Sequence, residues 1–81
     1  MSGNEPDLRV LLHSLVVQLV DSGLTLTQAR DAFERQMLIT ALRHNGGSVT
    51  RSAKALGVHR NTLRNRMVRL KIKSSDVSGE F

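Results

Sequence analysis

The segment from residue 8 to residue 21 is apolar around almost its whole circumference when it is drawn as a helix. A helix that packs on one side of a core needs an apolar stripe only about 100° wide. In a chain of 81 residues with no cysteine, neither a thick core nor a disulfide can compensate for the rest of that surface. We therefore expect this helix to pack against a second copy of the chain, through Leu8, Leu11, Leu12, Leu15, Val16 and Leu19.

A capping motif and glycines delimit a second helix. Thr25 and Gln28 have the spacing of a capping box, in which each residue bonds the backbone N–H of the other. The apolar residues that follow recur at helical spacing, so the pattern predicts a helix from about Leu26 to Arg43. The sequence HNGG at 44–47 ends it.

Two shorter helices follow, separated by one glycine. Ser48 is a good N-cap for a helix over 49–56. Gly57 supplies the left-handed backbone that a tight turn requires, and the next helix begins at 59 or 60 and runs to about Leu70. This order is typical of a helix-turn-helix, whose second helix enters the DNA major groove.

The predicted organisation is one all-α domain of four helices. Residues 7–44 hold the two dimerisation helices, A and B, and residues 45–73 hold the helix-turn-helix unit. The polar segments 1–6 and 74–81 have no helical periodicity, and we expect both to be disordered tails.

The positive charge is confined to one third of the chain. Residues 1–42 have a net charge of −2, whereas residues 43–73 contain nine basic side chains and no acid. The whole chain has a net charge of +5. A solubilising surface usually mixes both signs, so this segregation predicts binding to a polyanion.

One face of the last predicted helix has the chemistry of base recognition. On a helical wheel, that face consists of Arg60, Asn61, Arg64, Asn65 and Val68. Arginine bonds guanine through two donors, and asparagine bonds adenine in the same way. We therefore expect duplex DNA as the partner of this face.

Residues 33–72 resemble the Fis family of bacterial nucleoid and regulatory proteins, a module that also forms the DNA-binding domain of many enhancer-binding transcriptional activators. The resemblance rests on Glu34-Arg35, Gly46-Gly47, Thr50-Arg51, Ala53, Leu56-Gly57-Val58 and the segment HRNTLRNRM at 59–67. It implies a homodimer in which helices A and B of two chains interlock, which adds Phe33 and Met37 to the interface. It also implies DNA that is bent and read loosely, partly through groove width. The resemblance implies further that Arg60 reads a guanine and that Asn61 and Arg64 contact bases or nearby phosphates.

The same resemblance implies contacts to the DNA backbone. Ser48, Thr50, Arg51 and Thr62 are expected to bind phosphates. Two residues differ from the common pattern: His59 replaces a small polar cap and is expected to donate to a phosphate, and Asn65 replaces a basic residue, so that we expect a weaker backbone contact there.

Several functions have little support in the sequence. No nucleotide-binding loop, paired carboxylates or nucleophile set indicates an enzyme, and no cofactor or small-molecule substrate is expected. His13 and His44 have no second ligand at metal spacing, so no metal site is predicted. The acidic, polar N-terminus is unlike a signal peptide, and no apolar run reaches membrane-spanning length, so we expect a cytoplasmic protein without a membrane partner. The family resemblance adds association with the nucleoid.

Some alternatives remain open at this level. The basic face could dock an acidic protein, which would make the chain a dimerising interaction module. RNA binding is disfavoured because only two aromatic residues are present. Glu34 with Arg35 could form an interface ion pair or remain solvated. The cations at and beyond the end of the last helix could bind phosphates or remain solvated; they are Arg66, Arg69, Lys71 and Lys73.

Overall fold

The computed structural model describes residues 7–78, and the regular structure within them is entirely helical. The helices are α1 (Leu8–Asp21), α2 (Leu26–His44), α3 (Val49–Leu56), α4 (Arg60–Arg69) and α5 (Ser74–Ser78). The predicted all-α fold is confirmed. The predicted tail at 1–6 and the last three residues lie outside the described part of the chain. No helix within residues 7–78 combines the length and apolar character needed to cross a membrane.

Local signals in the sequence set the helix boundaries. Thr25 Oγ1 accepts the Gln28 N–H at 3.1 Å, and Gln28 Oε1 accepts the Thr25 N–H at 3.0 Å, so the capping box of α2 is complete. Ser48 Oγ accepts the Arg51 N–H at 3.2 Å and caps α3. Gly57 ends α3 in the left-handed region, with φ 73°. The predicted starts of α2 and α3 and the predicted turn are therefore confirmed.

The buried core joins only α2, α3 and α4. Its apolar members, each at most 9% exposed, are Leu38, Ile39, Leu42, Ala53, Leu63 and Leu70. Leu63 of α4 is completely buried, and Val49, Leu56, Met67 and Ile72 pack around the cluster as partly buried neighbours. A core of this size gives a small domain only marginal stability.

Helix α1 contributes nothing to that core. None of its 14 residues is buried, although most of them are apolar. Leu15, at the middle of the helix, is 41% exposed. The facing side of α2 is uncovered too, since Phe33 is 50% and Met37 is 47% exposed. The two helices together therefore present a continuous apolar surface that a single chain does not cover.

The C-terminal tail predicted to be disordered from residue 74 is corrected for residues 74–78, which form α5 against α2. Arg35 Nη2 donates to Asp76 Oδ2 at 3.0 Å. Arg43 donates to the backbone oxygen of Asp76 from Nε at 3.0 Å and from Nη2 at 2.6 Å. Asp76 Oδ2 also accepts the Lys73 N–H at 2.8 Å, at the start of α5. These tertiary contacts hold a segment too short to be a stable helix alone.

Asp76→Asn is expected to lower the melting temperature by a few degrees at pH 7 and by less in acid. The Lys73 backbone N–H, followed by the charge of Arg35, lowers the pKa of Asp76. The stabilisation from a carboxylate with a lowered pKa is present above its unfolded pKa and disappears as the pH falls through its folded pKa. In thermal melts of both proteins between pH 3 and 7, the difference in melting temperature should therefore be constant above about pH 4 and shrink as the pH falls further.

Asp21→Asn, which removes an exposed carboxylate at the end of α1, is the matched control for that comparison. It should leave the pH profile of the melting temperature close to that of the unmodified chain. If the difference in melting temperature between Asp76→Asn and wild type is the same at every pH, the proposed role of the carboxylate is wrong.

Candidate nucleic-acid interface

The turn between α3 and α4 sets the orientation of α4 relative to α3. The Gly57 N–H donates to the Lys54 carbonyl at 3.2 Å, and the Val58 N–H donates to the Ala53 carbonyl at 3.0 Å. These bonds close the end of α3 and redirect the chain into α4. Because Leu63 is fully buried beneath α4, the helix cannot rotate without opening the core, and its opposite side stays in solvent.

The predicted reading face is exposed along that opposite side. Its four polar members are exposed, and Val68 is 79% exposed; the face consists of Arg60, Asn61, Arg64, Asn65 and Val68. No acid within residues 7–78 forms an ion pair with Arg60 or Arg64. Two guanidinium groups one helical turn apart are therefore left without a local counter-charge.

The other arginines of α4 are neutralised by α2. Arg66 Nη1 donates to both carboxylate oxygens of Glu34, at 3.0 and 3.2 Å. Arg69 donates from Nη1 to Asp31 at 3.0 Å and from Nη2 to Glu34 at 3.4 Å. The hydrogen bond to Asp31 raises the pKa of Arg69, so this guanidinium remains charged. The sequence left these arginines either solvated or bound to phosphate; in the structure both side chains remain about half exposed, and both also tie α4 to α2.

The sequence left Glu34 and Arg35 either as an interface ion pair or as two solvated charges, and the structure shows a third arrangement. Glu34 faces α4, whereas Arg35 Nε donates to the Leu70 carbonyl at 3.3 Å and its Nη2 bonds Asp76. The two side chains therefore serve separate contacts within one chain, and they do not pair with each other. Arg35 caps the end of α4 while it holds α5.

His59 is the N-cap of α4. Its Nδ1 accepts the Asn61 N–H at 3.1 Å, which satisfies one of the free donors at the start of the helix. A neutral imidazole whose Nδ1 accepts a hydrogen bond carries its proton on Nε2. The exposed ring therefore has one donor left, and the predicted phosphate contact of His59 would use that donor.

The other predicted backbone-binding residues lie mainly at the start of α3. Thr50 and Arg51 are exposed, and Ser48 is partly buried. Arg51 Nη2 donates to the Asn45 carbonyl at 3.0 Å, so the side chain lies over the loop before α3 and keeps its other N–H donors. Thr62 is exposed on α4.

Lys54 is exposed on α3 and has no role among those predicted from the sequence. It follows Arg51 by three residues, and residues at that spacing share a helix face. That spacing is the signal that could have identified it. No group of three His, Cys, Asp or Glu side chains that could hold a metal ion occurs in the part of the chain that the structure describes.

One comparison with known proteins gives a match. The family model described as "Bacterial regulatory protein, Fis family" matches residues 29–70, just over half of the chain. The matched segment starts in α2 and ends at the C-cap of α4, so it contains the complete helix-turn-helix and leaves α1 and α5 outside. No curated protein and no solved structure matches the chain.

Proposed function

The chain belongs to the Fis family of bacterial regulatory proteins, and we propose that it is a homodimer that binds and bends double-stranded DNA. In this proposal it regulates transcription or shapes the nucleoid, and it acts in the cytoplasm. It needs no cofactor and catalyses no reaction. The helix-turn-helix of the family supports DNA binding, and the uncovered apolar surface of α1 and α2 supports the dimer.

The division of the α4 arginines between two faces is the observation that carries the proposal. Arg66 and Arg69 are paired with acids of α2, whereas Arg60 and Arg64 face solvent together without an acid in the described chain. Like charges on one helix face repel each other and destabilise the helix. A duplex offers regularly spaced phosphates and base acceptors, which would convert this repulsion into binding free energy.

Base contacts are assigned to the first part of α4. In a helix-turn-helix, the N-terminal residues of the second helix approach the base edges. Arg60 and Asn61 open α4, and Arg64 follows Arg60 by one turn on the same exposed face. We assign guanine recognition to Arg60, and base or nearby phosphate contacts to Asn61 and Arg64.

Phosphate contacts are assigned to residues that border this face. They orient the protein on the duplex but do not read its sequence. The hydroxyl, guanidinium, imidazole and amide donors that remain available after the internal hydrogen bonds suit this role. The residues are Ser48, Thr50, Arg51, His59, Thr62 and Asn65.

Homodimerisation is supported by the uncovered apolar surface of α1 and α2. A groove of about 560 Å³ lies between them, lined by Leu15 and Leu19 of α1 and by Phe33, Met37 and Ala41 of α2. Large exposed apolar patches are rare on monomeric proteins. A second copy offers the same apolar α1, so a two-fold arrangement would cover both chains at once.

Bending of the bound DNA is proposed from the resemblance to the Fis family, and a dimer would provide a physical reason for it. Two recognition helices held by one core must reach successive major-groove segments about 34 Å apart on straight DNA. A pair of helices at any other separation binds both segments only if the duplex deforms. The deformation energy depends on the base sequence, so a bend would let the protein read its site partly through groove width.

A titration by fluorescence anisotropy tests the function. The protein is added to a labelled duplex of about three helical turns, and separately to a labelled acidic protein. We expect tight, salt-sensitive binding to the duplex. Arg64→Gln should weaken it by about 1–3 kcal/mol, while Arg9→Gln, the removal of one exposed charge at the start of α1, should not. Binding to the acidic protein without binding to DNA would favour the interaction module.

A further inference from the structure

Lys71 is the only non-glycine residue with positive φ in the described range 7–78. Its φ is 55°, and the other residues with positive φ are Gly23, Gly46, Gly47 and Gly57. It directly follows Leu70, the C-cap of α4. The Lys71 N–H donates to the Val68 carbonyl at 3.1 Å, and the Ile72 N–H donates to the Met67 carbonyl at 2.9 Å. This pattern ends many helices, and glycine is the usual residue there because a Cβ is strained.

Lys71 lies two residues beyond the end of α4, near the C-terminal end of the reading face. It follows Arg64 by seven residues, close to two helical turns, so its Cα lies near the continuation of the row formed by Arg60 and Arg64, while its left-handed backbone takes the side chain out of helical phase. That row would extend about 10 Å beyond Arg64. Lys71 is exposed, and no acid of the described chain forms an ion pair with it.

A helix-dipole role does not account for a lysine at this strained position. A cation near the last turn of a helix interacts favourably with the free carbonyls. Arg66 and Arg69 already occupy the last turn of α4, and the Arg35 side chain donates to the Leu70 carbonyl. A glycine at 71 would therefore relieve the backbone strain and leave these cations in place.

We propose that Lys71 contacts a phosphate of the duplex, beyond the major-groove segment that α4 enters. The contact explains why a left-handed position carries a long cationic side chain. This inference rests on the proposed DNA-binding function and extends it, because it adds a backbone contact at the end of α4 opposite to Arg60.

Two substitutions separate the side chain from the backbone strain. Lys71→Gly removes both, so we expect a melting temperature a few degrees higher together with weaker DNA binding. Because each protomer would then bind one phosphate fewer, the slope of log affinity against log salt should become shallower by about 1.8 for a dimer. Between 50 and 200 mM salt, the factor by which the affinity falls should then be about ten times smaller for Lys71→Gly than for wild type. Lys71→Arg keeps the charge and should keep the slope of wild type.

The controls distinguish failure of this inference from failure of the function. Arg9→Gln removes one distant positive charge and should leave the slope unchanged. If wild type shows no salt-dependent binding to duplex DNA, the proposed function fails. If wild type binds and Lys71→Gly retains the wild-type slope, only the Lys71 contact is wrong, whatever the change in melting temperature.

Discussion

Leu15→Glu is expected to abolish the proposed dimer and to leave a chain with little stable structure at micromolar concentration. Leu15 lies at the middle of α1, lines the groove against α2 and is 41% exposed in the single chain. A dimer would cover that remaining surface. Loss of a buried leucine costs about 1.5–3 kcal/mol, and an unpaired carboxylate in the same place costs more. Both protomers carry the change, so the penalty counts twice.

Disruption of the dimer is expected to cost folding as well as assembly. The core of the single chain contains only six buried apolar side chains within the described residues, all from α2, α3 and α4 or the C-cap of α4. Domains of this size usually need an additional source of stability, such as a metal, disulfides or a partner chain. The chain has no cysteine, and α1 of a second copy would be that source.

Sedimentation equilibrium and circular-dichroism melts at several protein concentrations measure both effects. Ser14→Glu is the matched control, because it introduces the same charge at the neighbouring residue, on the narrow polar side of α1. It should remain dimeric, with a melting temperature close to wild type. A wild-type chain that sediments as a folded monomer at micromolar concentration would overturn the prediction.

Arg60→Ala and Arg51→Ala are expected to weaken DNA binding in different ways. Arg60 opens α4, where side chains approach base edges, so its removal should cost about 1–3 kcal/mol on a preferred site. The same removal should cost little on random duplex, so the ratio of affinities for the preferred and the random duplex should decrease. Arg51 lies in the first turn of α3, where contacts reach the backbone. Its removal should weaken all duplexes alike and lower the salt slope by about 0.9 per contact.

The measurement requires a preferred duplex, which selection from a random-sequence pool with the wild-type protein provides. Both variants are then titrated on the selected and random duplexes at several salt concentrations. Because Arg51 also donates to the Asn45 carbonyl, thermal melts must first show that Arg51→Ala is folded. Equal weakening of both duplexes by Arg60→Ala would mean that Arg60 binds the backbone and that another residue reads the bases.

The boundaries of the longer helices were predictable because the signals that set them are local. The capping box of Thr25 and Gln28, the N-cap Ser48 and the left-handed Gly57 each act within a few residues. The exposed face of α4 was predictable for the same reason, since helical phase and the apolar residue Leu63 determine which side chains face solvent.

Contacts between residues far apart in the sequence were not predictable in this way. The acid partners of Arg66 and Arg69 were not predicted because Asp31 and Glu34 precede these arginines by more than 30 residues. Helix α5 is five residues long and without apolar periodicity, and it is held by Arg35 and Arg43. Neither feature has a local pattern, because each depends on how α2 packs against later parts of the chain.

The exposed α1 has a consequence for how the protein would respond to its own abundance. If two chains must meet before α1 is covered, the number of binding-competent molecules at low abundance rises with the square of the chain concentration. Occupancy of a DNA site would then change more steeply than the level of the protein itself. A modest change in synthesis or degradation would switch weak sites on or off, while a monomeric binder of equal affinity would respond gradually.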